Sequence, residues 1–104
     1  MLSTMQNSGP RHVDLIGKLC FEGQQIAAYL FQVPDDEGER ERLRQVIDAI
    51  LKHNAKSQNR ELPRIAREMK EALSQPPSPL LADQLVTGFD RIVSLWKLAR
   101  SGIF

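Results

Sequence analysis

The chain has 104 residues, of which 41% are hydrophobic and 26% charged, and its formal net charge is +1. This length and composition predict one globular domain with a modest core, and the charge balance excludes a global attraction to nucleic acid or anionic membranes. With one cysteine and two histidines, no internal disulfide can form and no protein-only zinc site is expected. No apolar run approaches the roughly 20 residues of a membrane span, and the lack of a signal-peptide pattern predicts a cytoplasmic protein.

The first ten residues, MLSTMQNSGP, are polar and end in a Gly-Pro breaker. We therefore expect a flexible leader over residues 1–10 and a single domain over residues 11–104. A first helix is predicted from Arg11 to Phe31, because Pro34 then terminates the pattern. Its inner face is predicted from apolar and small residues at steps of three and four: Leu15, Ile16, Leu19, Gly23, Ile26, Ala27 and Leu30.

A second helix is predicted from about Asp35 to Asn54. Acidic residues crowd its start, while Lys52 and His53 lie at its end, which is the charge distribution that the helix macrodipole favours. Its buried stripe is predicted to consist of Leu43, Val46, Ile47, Ile50 and Leu51.

A polar linker separates this helix from a third, which is predicted to begin at Glu61 or Pro63 and to end at Leu73. Proline is well tolerated in the first turn of a helix and argues against an earlier start. The predicted inner side carries Leu62, Ile65, Ala66, Met69, Ala72 and Leu73.

The fourth helix has the clearest start, with Ser78 as the N-cap and Pro79 as the first helical residue. It is predicted to run to about Ser101, with Gly102 as its terminator. Its inner face is predicted to carry Leu81, Leu85, Phe89, Ile92, Trp96 and Ala99. Four amphipathic helices with short connections predict an all-α protein, an antiparallel four-helix up-down bundle.

The first helix also carries a second, weaker apolar face. Its members are Val13, Cys20, Phe21, Ala28 and Phe31. An exposed aromatic residue on this face would indicate a partner surface or a homodimer interface. Alternatively, neighbouring helices bury this helix on two sides.

A basic stretch surrounds the second connection and the third helix. It consists of Lys52, Lys56, Arg60, Arg64, Arg67 and Lys70. Interleaved glutamates make a solvated face with i to i+4 ion pairs one interpretation. The other interpretation is a docking surface for an acidic partner or a phosphate. The lack of interleaved aromatic residues argues against nucleic acid.

The sequence shows no self-sufficient catalytic motif. His12 has no acidic or metal-ligand partner at helical spacing, and we expect it to be exposed and inert. His53 fits either a cation favoured at a helix C-terminus or a phospho-accepting or anion-contacting imidazole. The acidic cluster of residues 35–41 lacks the pattern of a calcium loop. We therefore expect no enzyme, no cofactor and no metal.

The segment from Leu62 to Leu73, LPRIAREMKEAL, resembles the third helix of histidine phosphotransfer (HPt) domains, and the proline-marked fourth helix resembles theirs. These domains are four-helix bundles that relay phosphoryl groups between histidine kinases and receiver domains. The family carries its acceptor His three residues before a Lys that precedes a Gly. Alignment on Lys52 places Ala49 at the position of the acceptor and His53 at the position of the Gly. The resemblance thus implies a domain that has lost its acceptor, or one in which His53 has a displaced role.

The resemblance to HPt domains implies a non-catalytic adaptor of bacterial two-component signalling that docks a receiver or histidine kinase domain. The predicted partner-binding residues are Lys52, His53, Lys56, Arg60, Arg64, Arg67 and Phe21. The alternative is a self-associating structural bundle, a homodimer that packs through the first or the fourth helix.

Overall fold

A computed structural model of the protein describes residues 11–54 and 60–100, with side chains from Leu15 onward. Each helix packs on two others, since the first helix contacts the second and the fourth, and the third contacts the same two. The predicted all-α, antiparallel four-helix up-down bundle is confirmed. Its elements are α1 (Arg11–Gln32), α2 (Glu37–His53), α3 (Glu61–Ala72) and α4 (Pro79–Arg100).

Side-chain oxygens cap the N-termini of α2 and α4. Asp36 has extended backbone and accepts a hydrogen bond from the backbone N–H of Glu39 at 3.1 Å, so α2 begins later than predicted. Ser78 accepts a hydrogen bond from the N–H of Leu81, also at 3.1 Å. This contact confirms the predicted Ser78 cap, because an N-cap side chain satisfies a donor that lacks an intrahelical partner. Gly102, the predicted terminator, lies outside the described residues, as does the leader.

The core lies between the four helices and is aliphatic and aromatic. Burial of each large side chain stabilises the fold by about 1.5–3 kcal/mol, and every helix contributes. The largest fully buried side chains are Phe89, Leu30, Leu43, Ile47, Ile50, Leu73, Leu85 and Ile92.

Three assignments of side chains to the core or the surface were wrong. Leu15 is 38% exposed, while Cys20, predicted on the outer face, is fully buried. Cys20 follows Ile16 by four residues, and the buried arc of α1 is rotated towards these two side chains and away from Leu15. Ala99 is exposed. It lies in the last two turns of α4, which extend past the start of the antiparallel α3 at Glu61 and have no residue of α3 to pack on.

Arg40 is a buried charge that the apolar pattern does not reveal, with an exposed fraction of 3%. Its Nη2 donates hydrogen bonds to the backbone oxygens of Leu73 at 2.8 Å and Gln75 at 2.7 Å. Nη2 of Arg44 donates to the same Leu73 oxygen at 2.9 Å. The last carbonyls of a helix lack intrahelical partners and carry the negative end of the macrodipole. Two guanidinium groups of α2 therefore cap the C-terminus of α3.

Candidate functional site

Basic residues from three helices meet at one end of the bundle. Because neighbouring helices are antiparallel, the C-termini of α2 and α4 and the N-terminus of α3 lie at the same end. The last turns of both α2 and α4 are basic, as the macrodipole favours. We call this region the basic end, and it consists of Lys52, His53, Arg60, Arg64, Lys97 and Arg100.

The opposite end of the bundle is acidic around the start of α2. The carboxylates there are Asp35, Asp36, Glu37, Glu39 and Glu41. Three of these carboxylates, those of Glu37, Glu39 and Glu41, pair with arginines of α2 at 3.4, 3.2 and 2.8 Å, and part of this charge is therefore offset. Positive and negative side chains are thus interleaved at this end of the bundle, and the net charge of the whole chain is +1.

Some of the predicted basic residues are already paired. Arg64 bridges Glu61 at 2.6 Å and Glu68 at 2.8 Å, and the hydrogen bond that Arg64 donates to the Glu61 carboxylate raises the pKa of Arg64 above its ordinary value. Lys70 contacts Asp48 of α2 at 2.7 Å. These pairs match the interpretation of a solvated face for part of the stretch.

Other basic residues remain available to a partner. Lys52, Arg60 and Arg67 are exposed, and none of the three forms an ion pair with another described residue. Arg60 and Arg67 flank Arg64 at helical steps of four and three, so all three share the outward face of α3. Lys56, also predicted in this surface, lies outside the described residues.

His53 is the last residue of α2 and is half-buried. Ala49, one turn earlier, is also half-buried, and Lys52 between them is exposed. Spacings of three and four place Ala49, Lys52 and His53 on adjoining parts of one helix surface. The side chain of His12 lies outside the described ones.

Phe21 meets Trp96 at the interface of α1 and α4. Its side chain is 40% exposed, and the two rings contact edge to face with centroids 5.3 Å apart and an interplanar angle of 81°. The guanidinium carbon of Arg100 lies 5.5 Å from the centroid of the Trp96 ring, which is within cation–π range. With Lys97, these residues line an open groove of about 420 Å³. The exposure of Phe21 was predicted as one alternative, but its contact with Trp96 was not.

A second groove of about 560 Å³ runs between α3 and α4. Gly88 forms part of its apolar floor, where a Cβ would lie 2.5 Å from Sδ of Met69. Its rim carries charges of both signs that pair with one another, with Glu61 contacting Arg64 at 2.6 Å and Arg91 at 3.9 Å. This self-neutralised rim favours neither an acidic nor a basic ligand.

Within the described part of the chain, no cluster of three or more His, Cys, Asp or Glu side chains could hold a metal ion. No helix there is long and apolar enough to cross a membrane. Burial raises the pKa of the Cys20 thiol to about 12, so this side chain is neutral at physiological pH and is a poor nucleophile.

Comparison of the chain with protein-family models, with curated proteins and with solved structures finds no match in any of the three.

Proposed function

We propose that this protein is a non-catalytic interaction module that docks an acidic protein partner on its basic end. The supporting observation is the convergence of cations from α2, α3 and α4 on one end of the bundle. Lys52 and Arg60 are exposed there, so a partner's carboxylates can reach them without breaking an existing ion pair among the described residues. Surface charges of one sign accelerate the association of an oppositely charged partner and select against like-charged ones.

The narrower form of the proposal names the partner as a receiver or histidine kinase domain of bacterial two-component signalling. It is supported by the resemblance of α3 and α4 to HPt domains and by the four-helix fold. Ala49 occupies the position that the family's acceptor histidine would take. In this form the protein retains the docking surface without relaying phosphoryl groups, while His53 remains a candidate for a displaced acceptor.

Binding to purified receiver and histidine kinase domains from the same genome tests the proposal. We expect a complex whose association rate falls about tenfold or more when Lys52 and Arg60 are both replaced by Glu, since steering contributes on that scale. The rate should also fall with added salt, because the Debye length is only about 10 Å at 0.1 M. Arg42→Glu is the control, because it reverses a charge at an exposed site near the other end of the bundle. It should change the association rate little.

Phosphoryl transfer is measured separately with a phosphorylated kinase. Acid-labile, base-stable label that disappears in His53→Gln would show an active relay through His53. Binding without label supports the adaptor. Absence of both binding and label for every domain would overturn the narrower form of the proposal.

Self-association through α1 is the second candidate function, and it is supported by exposed aromatic residues. Phe21, Tyr29 and Phe31 are 40%, 43% and 53% exposed. The first and the last of these residues belong to the second apolar face that the sequence predicts for α1, and aromatic residues are enriched at interfaces. Sedimentation at increasing concentration tests this candidate: a dimer that Phe21→Asp dissociates would support it, and a strict monomer would refute it.

A further inference from the structure

We infer that the groove lined by Phe21, Trp96, Lys97 and Arg100 receives an apolar side chain of an acidic partner segment. This inference rests on the proposed function, and it identifies the part of the basic end that contacts an apolar side chain of the partner. A carboxylate next to the inserted side chain would meet the guanidinium of Arg100. The groove has a volume of about 420 Å³, within the range of small binding clefts.

One wall of this groove is held rigidly by the core. Trp96 is only 7% exposed, and its indole lies against Gly17 of α1, where a Cβ would approach Cε2 to 2.6 Å. Phe21 packs edge to face on the same ring. A binding surface whose rings are already ordered loses little side-chain entropy on association, which favours its use as an anchor site.

The charges around the groove favour an acidic partner. Arg100 lies over the Trp96 ring and Lys97 also lines the groove, so the apolar wall is bordered by two cations. A carboxylate approaching Arg100 gains a charge-assisted hydrogen bond. Lys52 and Arg60 are further exposed cations at the same end of the bundle.

The shape of the groove favours a protein segment over nucleic acid or a membrane surface. Base stacking requires an open aromatic face, and Trp96 offers none, because it is only 7% exposed and Arg100 lies over its ring. An open groove of about 420 Å³ accepts an inserted side chain, whereas a bilayer surface would contact only its rim.

A short capped peptide that carries one Leu among glutamates is a suitable probe for this groove. Trp96 is the only tryptophan, so its fluorescence and its indole N–H resonance report directly on the site. We expect saturable changes in both signals. Binding should weaken about tenfold in Phe21→Ser and in Arg100→Gln, as truncation at an interface anchor does. Replacing the Leu of the peptide by Ser should weaken binding similarly, and replacing the glutamates by lysines should abolish it.

Matched variants control for general effects on the fold. Phe31→Ser removes an exposed aromatic residue at the other end of α1, and Arg42→Gln removes an exposed cation on α2. Both should bind the probe like the unmodified protein, and urea unfolding of every variant verifies that it is folded.

The outcomes separate this inference from the proposed function. Binding that is weakened by Lys52→Glu with Arg60→Glu but not by Phe21→Ser or Arg100→Gln would overturn the groove and leave the basic end as the docking site. No binding of the peptide, with a receiver or kinase domain still binding the basic end, would overturn the groove alone, whereas no binding of either the peptide or any such domain would overturn both. Equal changes of the Trp96 signal with vesicles of phosphatidylglycerol, and none with the peptide, would overturn the assignment to a protein partner.

Discussion

Gly17 of α1 lies directly against the indole of Trp96 of α4, because a residue without a side chain is needed where the two helices approach. A Cβ at position 17 would lie 2.6 Å from Cε2 and 3.0 Å from Nε1 of Trp96. Phe21 contacts the same ring edge to face. The close helix contact thus fixes both the packing of α1 on α4 and the wall of the groove at the basic end.

Gly17→Ala should therefore destabilise the protein, although alanine is the better helix former. Overpacking costs about 1–3 kcal/mol, while the gain in helix propensity is at most about 1 kcal/mol. We expect a net loss of about 1–2 kcal/mol in the free energy of unfolding, because the rigid indole cannot move aside. Urea denaturation, with the slope m unchanged, measures this loss.

Gly38→Ala is the control for helix propensity. Gly38 is exposed in the first turn of α2, and the nearest atom that its Cβ would meet is Oδ1 of Asp36 at 3.5 Å. This substitution should leave stability unchanged or raise it by up to about 1 kcal/mol. If Gly17→Ala had the same effect as Gly38→Ala, the proposed clash with Trp96 would be refuted.

Arg40→Ala should be far more destabilising than Arg42→Ala, although the two arginines lie half a turn apart. Arg40 is buried and bonds two carbonyl oxygens after α3, so its loss should cost about 2–4 kcal/mol. Arg42 has a side chain that is 52% exposed and pairs with Glu22 and Glu39, and surface pairs contribute about 0–1 kcal/mol. Thermal or urea unfolding of both variants makes the comparison, and equal losses would show that the buried bonds contribute no more than the exposed ones.

The contrast between helix α4 and Arg40 shows what the sequence alone could predict. The Ser78-Pro79 start and the inward positions of Leu85, Phe89 and Ile92 depend on local spacing, and the structure has them as predicted. Arg40 falls on the same stripe as Leu43, yet its burial depends on a carbonyl 33 residues later in the chain. No local pattern contains that partner.

The same reasoning explains the outcome at the candidate site. The exposure of Lys52 and Arg60 follows from their helical positions and their charge, so the basic stretch could be identified. The contact of Phe21 with Trp96 joins helices at opposite ends of the sequence, and the contribution of Lys97 and Arg100 follows only from that pairing. Residues of α1 and α4 become neighbours only through the packing of the two helices, so their contact could not be predicted from local sequence spacing.

Cys20 should resist thiol reagents in the folded protein. Burial raises the pKa of its thiol to about 12 from the ordinary 9.0, which lowers the thiolate fraction about a thousandfold at neutral pH. Because the folded pKa is raised, the buried neutral thiol contributes stability below pH 9.0, and this contribution is lost as the pH rises towards 12. Reaction with a disulfide reagent, followed spectroscopically, should be slow in buffer and fast in urea.

An exposed cysteine provides the reference rate for this measurement. Ser94 is exposed on α4, so Ser94→Cys in a Cys20→Ser background should react rapidly in buffer as well as in urea. Equal native rates for the two thiols would contradict the buried position of Cys20.

Tyr29 and Asp36 should titrate as a linked pair at the acidic end of the bundle. The Tyr29 hydroxyl donates a hydrogen bond to Oδ2 of Asp36 at 2.7 Å, which lowers the pKa of Asp36, with the backbone N–H of Glu39 adding to the effect. A lowered folded pKa contributes stability above the ordinary value of 3.8, and this contribution is lost as the pH falls through the folded pKa. Tyr29→Phe should return the Asp36 pKa towards its ordinary value, as measured by carboxyl-carbon NMR.

The ionisation of Tyr29 at alkaline pH provides an independent measurement of the same hydrogen bond. The bond to Asp36 raises the pKa of Tyr29 above 10.0, so the stability that it contributes is present below pH 10.0 and is lost as the pH rises through the folded pKa. Tyr29 is the only tyrosine, and ultraviolet absorbance therefore follows its ionisation alone. Asp36→Asn should lower the observed pKa of Tyr29, whereas an unchanged value would show that the bond is absent in solution.

Ala49→His tests the narrower form of the proposed function by restoring the family's acceptor position. The new imidazole would lie three residues before Lys52, on a half-buried part of the α2 surface beside an exposed cation. If a receiver domain docks there, incubation with its phosphorylated form should transfer the phosphoryl group from the aspartate to the imidazole. We expect acid-labile, base-stable label in Ala49→His that His53→Gln does not remove. A folded variant that binds the receiver domain without accepting label would show that Ala49 does not lie where the family carries its acceptor, because docking would then orient the phosphoryl group elsewhere.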